Sequence, residues 1–188
     1  METLFIAEEK KYTGKELAPH WIYKNYHIMG NAIVSFIGEC EVVLDHMVDI
    51  EDVINNEPIY SKKMLSFIEE NFNSSLEQMV YKQRLLVTLT KELIEKKSPN
   101  VKIRRNGDDL YINDKKLSVS IATKSITSTL IHFGLNIDAD GAPIKAADLV
   151  NDAKIENIED FAKELMSAYK EETADIILAA SKVRGVTE

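Results

Sequence analysis

VKIRRNGDDLYINDKKLSVSIATKSITSTLIHFGLNID, from Val101 to Asp138, is the stretch on which the fold turns. Side chains alternate across a β-strand with period two, so each strand sorts its residues onto two faces. Leu117, Val119 and Ile121 share one parity, and Lys116, Ser118, Ser120 and Ala122 take the other. In the last strand Thr129, Ile131, Phe133, Leu135 and Ile137 alternate with His132, Gly134 and Asn136. A two-residue turn at Asp114-Lys115 pairs Asn113 with Lys116 and sets Leu110 and Ile112 on the apolar side, with Asp109 and Tyr111 opposite. One face is then core, and the other gathers Arg104, Asp109, Lys116, Ser118, Ser120, His132 and Asn136. Ser118, Ser120, Ala122 and Gly134 suit strands poorly and leave a floor over which a ligand or a packed helix can lie closely.

Outside this run the chain reads as one domain, residues 1–188, long enough for a sizeable core. Thr3 to Lys10 reads as a first strand, Gly14 turns the chain, and Ala32 to Val43 is apolar and β-branched enough for a second strand. Ser61 to Phe72 fits strand or helix. From Ser75 to Lys97 the residues Leu76, Met79, Val80, Gln83, Leu86, Val87, Thr90 and Ile94 have helical spacing, with Ser74/Glu77 or Ser75/Gln78 as capping box and Pro99 as stop. Ile158 to Lys182 repeats that spacing through Phe161, Leu165, Ala168 and Ile176. The pattern predicts an α+β domain, a mostly antiparallel mixed sheet with helices packed on one face.

The run VKIRRNGDDLYINDKKLSVSIAT followed by IHFGLNID resembles the central hairpins of the biotin and lipoate protein ligases, which have a class II synthetase-like fold. An Asn-Asp pair opening a strand, a turn, a Lys-Leu strand start and a Gly-x-Asn strand come in the same order. Together with the earlier GECEVVLDHMVDIED, the run more closely resembles an uncharacterised prokaryotic family, domain of unknown function 366, itself similar in fold to those ligases. The ligase resemblance implies that Lys116 sits where those enzymes keep the lysine that contacts the acid carboxylate and the adenylate phosphate. It implies that Asp108 and Asp109 occupy the segment serving the metal-nucleotide side. Val119 departs from a ligase Gly, and the Gly-Arg-Gly-Arg and Arg-Arg-x-x-Gly-Gly-Gly motifs that order the acyl-adenylate are missing. The expectation is a site for a small carboxylic acid or acyl compound, with acyl transfer or ligation as its chemistry and no pyrophosphate exchange. A noncatalytic ligand-binding or homo-oligomeric interaction protein of the same fold is the alternative.

Composition narrows the partners. A net charge of -8 repels phosphate backbones, and Lys102, Arg104, Arg105, Lys115 and Lys116 are a thin footing for nucleic acid. No apolar run reaches the ~20 residues of a membrane span. Met-Glu-Thr at the start lacks the basic region of a signal peptide, so a cytoplasmic protein is expected. The single Cys40 excludes an internal disulfide and a cysteine-rich zinc site. No Walker loop or dinucleotide glycine pattern is present, and the sequence names no cofactor.

Asp45, His46, Asp49, Glu51 and Asp52 crowd DHMVDIED, where carboxylates and imidazole could hold a hard cation for a metal-dependent hydrolase. A solvated acidic turn is the commoner use of such a stretch, and pairing of Asp49 and Asp52 with Arg104 and Arg105 predicts no tightly bound metal. Cys40, in FIGEC, reads as a small buried hydrophobe. The family resemblance supplies the other reading, a nucleophile of the cysteine-lysine pair that lipoyl and octanoyl transferases use. His132 is expected on the small-residue face rather than in the core, and His20-Trp21 in a loop packed over a pocket.

Overall fold

A computed structural model of the protein describes residues 1–140, 142 and 144–186. In chain order the elements are β1 (Glu2–Ile6), α1 (Trp21–Tyr26), β2 (Ala32–Val42), a 3-10 turn (Leu44–His46), α2 (Ile50–Asn55), β3 (Ile59–Asn71), α3 (Leu76–Lys97), β4 (Ile103–Asn106), β5 (Asp109–Ile112), β6 (Lys115–Lys116), β7 (Ser118–Lys124), β8 (Thr129–Asp138) and α4 (Ile158–Ser181). The main sheet has the order β1-β2-β3-β8-β7, and β4-β5-β6 form a small second sheet. The β1-β2 pair is parallel and the other pairs are antiparallel.

The two long helices cover one face. Met79, Leu86, Val87 and Ile94 of α3, with Phe161, Leu165 and Tyr169 of α4, pack on Ile33, Leu65, Phe67, Ile131, Phe133 and Leu135 of the sheet. Phe67 and Phe133 stack with ring centroids 6.0 Å apart at the centre of this layer. Each such fully buried side chain stabilises the domain by about 1.5–3 kcal/mol. The Ser75/Gln78 alternative supplies the complete capping box of α3, and Asn157 caps α4 by accepting from Asp160 N–H. The helical stripe of α4 loses its cover after Tyr169, and Ile176, expected on the buried side, is 50% exposed.

The ambiguous segment is the 13-residue central strand β3, buried on both faces over most of its length. Two acids stand in it. Glu69 faces the helices and accepts from Lys82 Nζ and Tyr169 Oη, each at 2.6 Å. Glu70 faces the other way and accepts from His20 N–H at 2.8 Å and Ser128 Oγ at 2.6 Å. Both carboxylates are fully buried, and hydrogen bonds to each replace the water that burial removed.

The second face of the sheet is closed by the chain itself. Because β1 and β2 are parallel, the link between them must cross over the sheet, and residues 8–31 do so. Tyr12, Leu17 and Ile22 pack there on Val34, Phe36, Met64, Ile68 and Leu130. Gly38 permits the crossing: a Cβ on it would lie 2.1 Å from the Lys10 carbonyl oxygen.

Parity holds in β8 but inverts in β7. Observed partners are Tyr111 with Lys116 and Ile112 with Lys115, so the turn is Asn113-Asp114, one residue earlier than the sequence reading. Asn113 takes the left-handed φ of 54° that such a turn demands. At Leu117 the chain then leaves the small sheet for the large one. Leu117 joins the core beneath the helices, whereas Val119 and Ile121 pack on the opposite face, and the Ser120 hydroxyl meets Gln83 of α3. The expected placement of Val119 and Ile121 under the helices is therefore corrected. Period-two alternation does not survive a bend between sheets.

Candidate functional site

The small-residue floor expected to hold a ligand is filled mostly by the protein. His132 is fully buried, stacks on the Tyr12 ring at 3.6 Å between centroids and lies 3.3 Å from Ser66 Oγ. It is a core histidine, contrary to the sequence reading, and burial pushes its pKa down to about 3. Met64 lies over Gly134, where a Cβ would come within 2.3 Å of its sulfur.

At one end of that face a cavity of about 360 Å³ remains. Lys116, Ser118 and Asn136 supply part of its polar wall, and Met64, Val119 and Ile59 part of its apolar wall. Ala142, Ile144 and Ala146 close one side, and Asn56 to Tyr60, following α2, close the other.

The frame around Lys116 is well fixed. Its N–H donates to Lys145 O and its carbonyl accepts from Ala147 N–H, both at 2.9 Å, so residues 145–147 run beside β6 like an extra strand. Asn136 ties this crossing together, its backbone N–H donating to Leu117 O at 3.1 Å and its side-chain amide to Ala147 O at 3.2 Å. The Lys116 ammonium lies 3.0 Å from Asp109 Oδ2, which also accepts from the Tyr111 hydroxyl at 3.2 Å. Ser118 is buried and its hydroxyl accepts from Leu110 N–H at 2.9 Å.

Of the residues singled out in the sequence, Lys116, Ser118 and Asn136 line this cavity, and Asp109 touches it through Lys116. The others lie elsewhere. Arg104 stacks on the Tyr111 ring at 4.1 Å, and Asp108 accepts from Arg84 Nη1 at 2.8 Å and from Gln83 Nε2 at 2.9 Å. Burial raises the Asp108 pKa, with Arg84 opposing. Ser120 accepts from Gln83 Nε2 at 2.7 Å. Cys40 is fully buried against Tyr12 and the sheet, and desolvation pushes its thiol up to about 12.

The acidic segment does fold back near Lys116. Burial, then the neighbouring Asp49, hold the Asp52 carboxyl above its ordinary value, and Lys116 pulls the other way. Asp49 accepts from Glu51 N–H as the cap of α2, and Asp45 sits in the 3-10 turn. The pairing expected with Arg104 and Arg105 is not formed: Arg104 covers Tyr111, and Arg105 donates to Gly107 O at 2.6 Å. Among the described residues no three His, Cys, Asp or Glu side chains stand close enough to hold a metal ion.

Sequence reasoning missed Met64, Ile59 and Ile144 in the cavity and the buried pair Glu69-Glu70. The acids had a signal, two adjacent carboxylates inside the apolar run MLSFIEEN. His20 is drawn to Phe72 and lines a second, broader hollow of about 540 Å³ at the start of β1, while Trp21 opens α1.

The sheet, the helix layer and the hairpins define a biotin/lipoate ligase-like fold. Biotin protein ligase from Aquifex aeolicus in complex with biotin and ATP is similar at a TM-score of 0.62 and 12% identity, covering 89% of this chain and 68% of that one. A putative lipoate protein ligase from T. acidophilum with bound lipoic acid is similar at a TM-score of 0.58 and 12% identity, covering 93% and 87%. These likenesses concern the fold. The chain itself belongs to the family described as domain of unknown function 366 (DUF366), whose model matches residues 1–184. An uncharacterised protein of Methanocaldococcus jannaschii is 38% identical over 177 residues, 92% of this chain and 79% of that protein. The structure of a protein of unknown function from Pyrococcus horikoshi shares 34% identity at a TM-score of 0.91, covering 99% of this chain and all of the other. No described helix is long and apolar enough to cross a membrane.

Proposed function

We propose that the protein binds a small carboxylic acid or its acyl derivative in the cavity between Lys116 and Met64. One observation carries the reading: Lys116 is the sole cation among the described lining residues, in a slot whose apolar wall includes Met64, Val119, Ile59 and Ile144 and whose one acid, Glu57, belongs to the segment after α2. An ammonium has three donors, so Lys116 can keep Asp109 and still donate to a ligand carboxylate or acyl carbonyl. The apolar walls would take the hydrocarbon part, and the cavity's size suits a ligand of that kind. The ligase-like neighbours with bound biotin and lipoic acid support the class of ligand.

Binding without covalent catalysis is the form of this reading that the geometry favours. A thioester on Cys40 requires an exposed thiolate, and this thiol is buried with its pKa raised to about 12. The test is isothermal titration with biotin, lipoate and straight-chain acids of graded length. Lys116→Ala should weaken the acid that binds by about 10- to 100-fold, the worth of one hydrogen bond to a charged group. Unchanged affinity would remove Lys116 from the site, and robust pyrophosphate exchange with ATP, Mg²⁺ and the acid would make the protein a ligase instead.

A further inference from the structure

The second half of α4 is an apolar surface with no partner inside the chain. Helix residues up to Tyr169 are held by the sheet and α3, whereas beyond it Ile176, Ile177 and Leu178 are 50%, 71% and 64% exposed, and Val183 just past the helix is 72% exposed. From Ala174 to Ala180 the sequence ADIILAA carries one charge. A helix apolar around most of its circumference belongs inside a protein interface, because water ordered on it is released when it is covered.

The charges at the two ends say what covers it. Glu171 and Glu172 precede the apolar run, and Lys182 and Arg184 follow it. Among the described residues, Glu172, Lys182 and Arg184 enter no ion pair, and Glu171 meets only the Ser167 hydroxyl at 3.0 Å. Such a helix is its own complement when reversed. A second copy laid antiparallel about the Ile176–Leu178 segment sets the acids of each chain against the bases of the other, while a parallel pair sets acid on acid and base on base. The arrangement has two-fold symmetry, the commonest form of homo-oligomer, in which one patch pairs with itself.

We propose that the protein dimerises through antiparallel pairing of the segment from Glu171 to Arg184, which is the C-terminal half of α4 and the residues that follow it. The proposal is independent of what the Lys116 cavity holds. It leaves that cavity free, since Met64 packs on the sheet face opposite α4 and no residue from Glu171 to Arg184 lines the cavity.

Sedimentation equilibrium of the full chain tests it. The wild type should be a concentration-dependent dimer, and Ile177→Glu should be a monomer with the wild-type circular dichroism spectrum and the melting temperature that the wild type reaches on dilution, because Ile177 makes no part of the core. Glu171→Lys with Glu172→Lys should be monomeric, as should Lys182→Glu with Arg184→Glu, and mixing these two variants should restore a heterodimer. A wild type that stays monomeric overturns the proposal and leaves the surface to another partner. A dimer that survives Ile177→Glu overturns it too, as does failure of the mixture to associate when the wild type does.

Discussion

Tyr169→Phe isolates the contact that fastens α4 to the centre of the sheet. The Tyr169 side chain is fully buried and its hydroxyl donates to Glu69 Oε2 at 2.6 Å, while Lys82 Nζ holds the other oxygen at 2.6 Å. Burial, then the Glu69 charge, raise the Tyr169 pKa well above its ordinary value, so the phenol stays a donor. Removing it deletes one hydrogen bond to a buried carboxylate, worth about 1.5–3 kcal/mol, and opens no cavity larger than one oxygen atom. For a chain of this size that corresponds to a melting temperature lower by roughly 3–12 °C. The decisive assay is a double-mutant cycle by urea unfolding. In a Glu69→Leu background the phenol has lost its acceptor, so Tyr169→Phe should there cost nothing or even stabilise. An equal cost in both backgrounds would show that Tyr169 acts through packing alone and would refute the account of Glu69 as the anchor of α4.

Two other perturbations follow from burial. His132, with its pKa pushed down to about 3, stays neutral in the folded state while the unfolded chain protonates near 6.5. Its contribution to stability is therefore fully present above about pH 6.5 and is lost as pH falls toward 3, at up to ~1.4 kcal/mol per pH unit. Urea midpoints against pH should show that slope in the wild type and a shallower one in His132→Phe; identical slopes would place the charge change elsewhere. Cys40, wholly covered and raised to about 12, should react with a disulfide probe only as fast as the protein unfolds. Immediate labelling of the native protein would reopen the thioester route.

The two long helices were legible because their information is local, whereas α1 and α2 fell in stretches read as a loop and a turn. Ser75 and Gln78 cap α3 as their spacing dictates, and the three-four periodicity from Met79 to Ile94 marks the face that packs. The alternation of β8 was equally plain, since both sides of it are buried by distinct layers. The pattern singled out Lys116 and Asn136, and both stand in the lining of one cavity.

Contacts distant along the chain decided the rest. No local signal shows that Leu117 bends from one sheet to another, yet that bend reverses β7 and carries Ser120 from the expected ligand face to Gln83. The apolar and acidic residues of β3 fit two periodicities until partners 13 and 100 positions away, Lys82 and Tyr169, satisfy Glu69. Composition could not reveal that the crossover from β1 to β2 lays Tyr12 on His132 and shrinks an open floor to the slot at Lys116. The residues of this sequence determine which faces must be covered, because burial follows from their chemistry. Which face meets which cover is set by contacts between segments distant along the chain, whose loop-closure cost is repaid only when the whole fold forms.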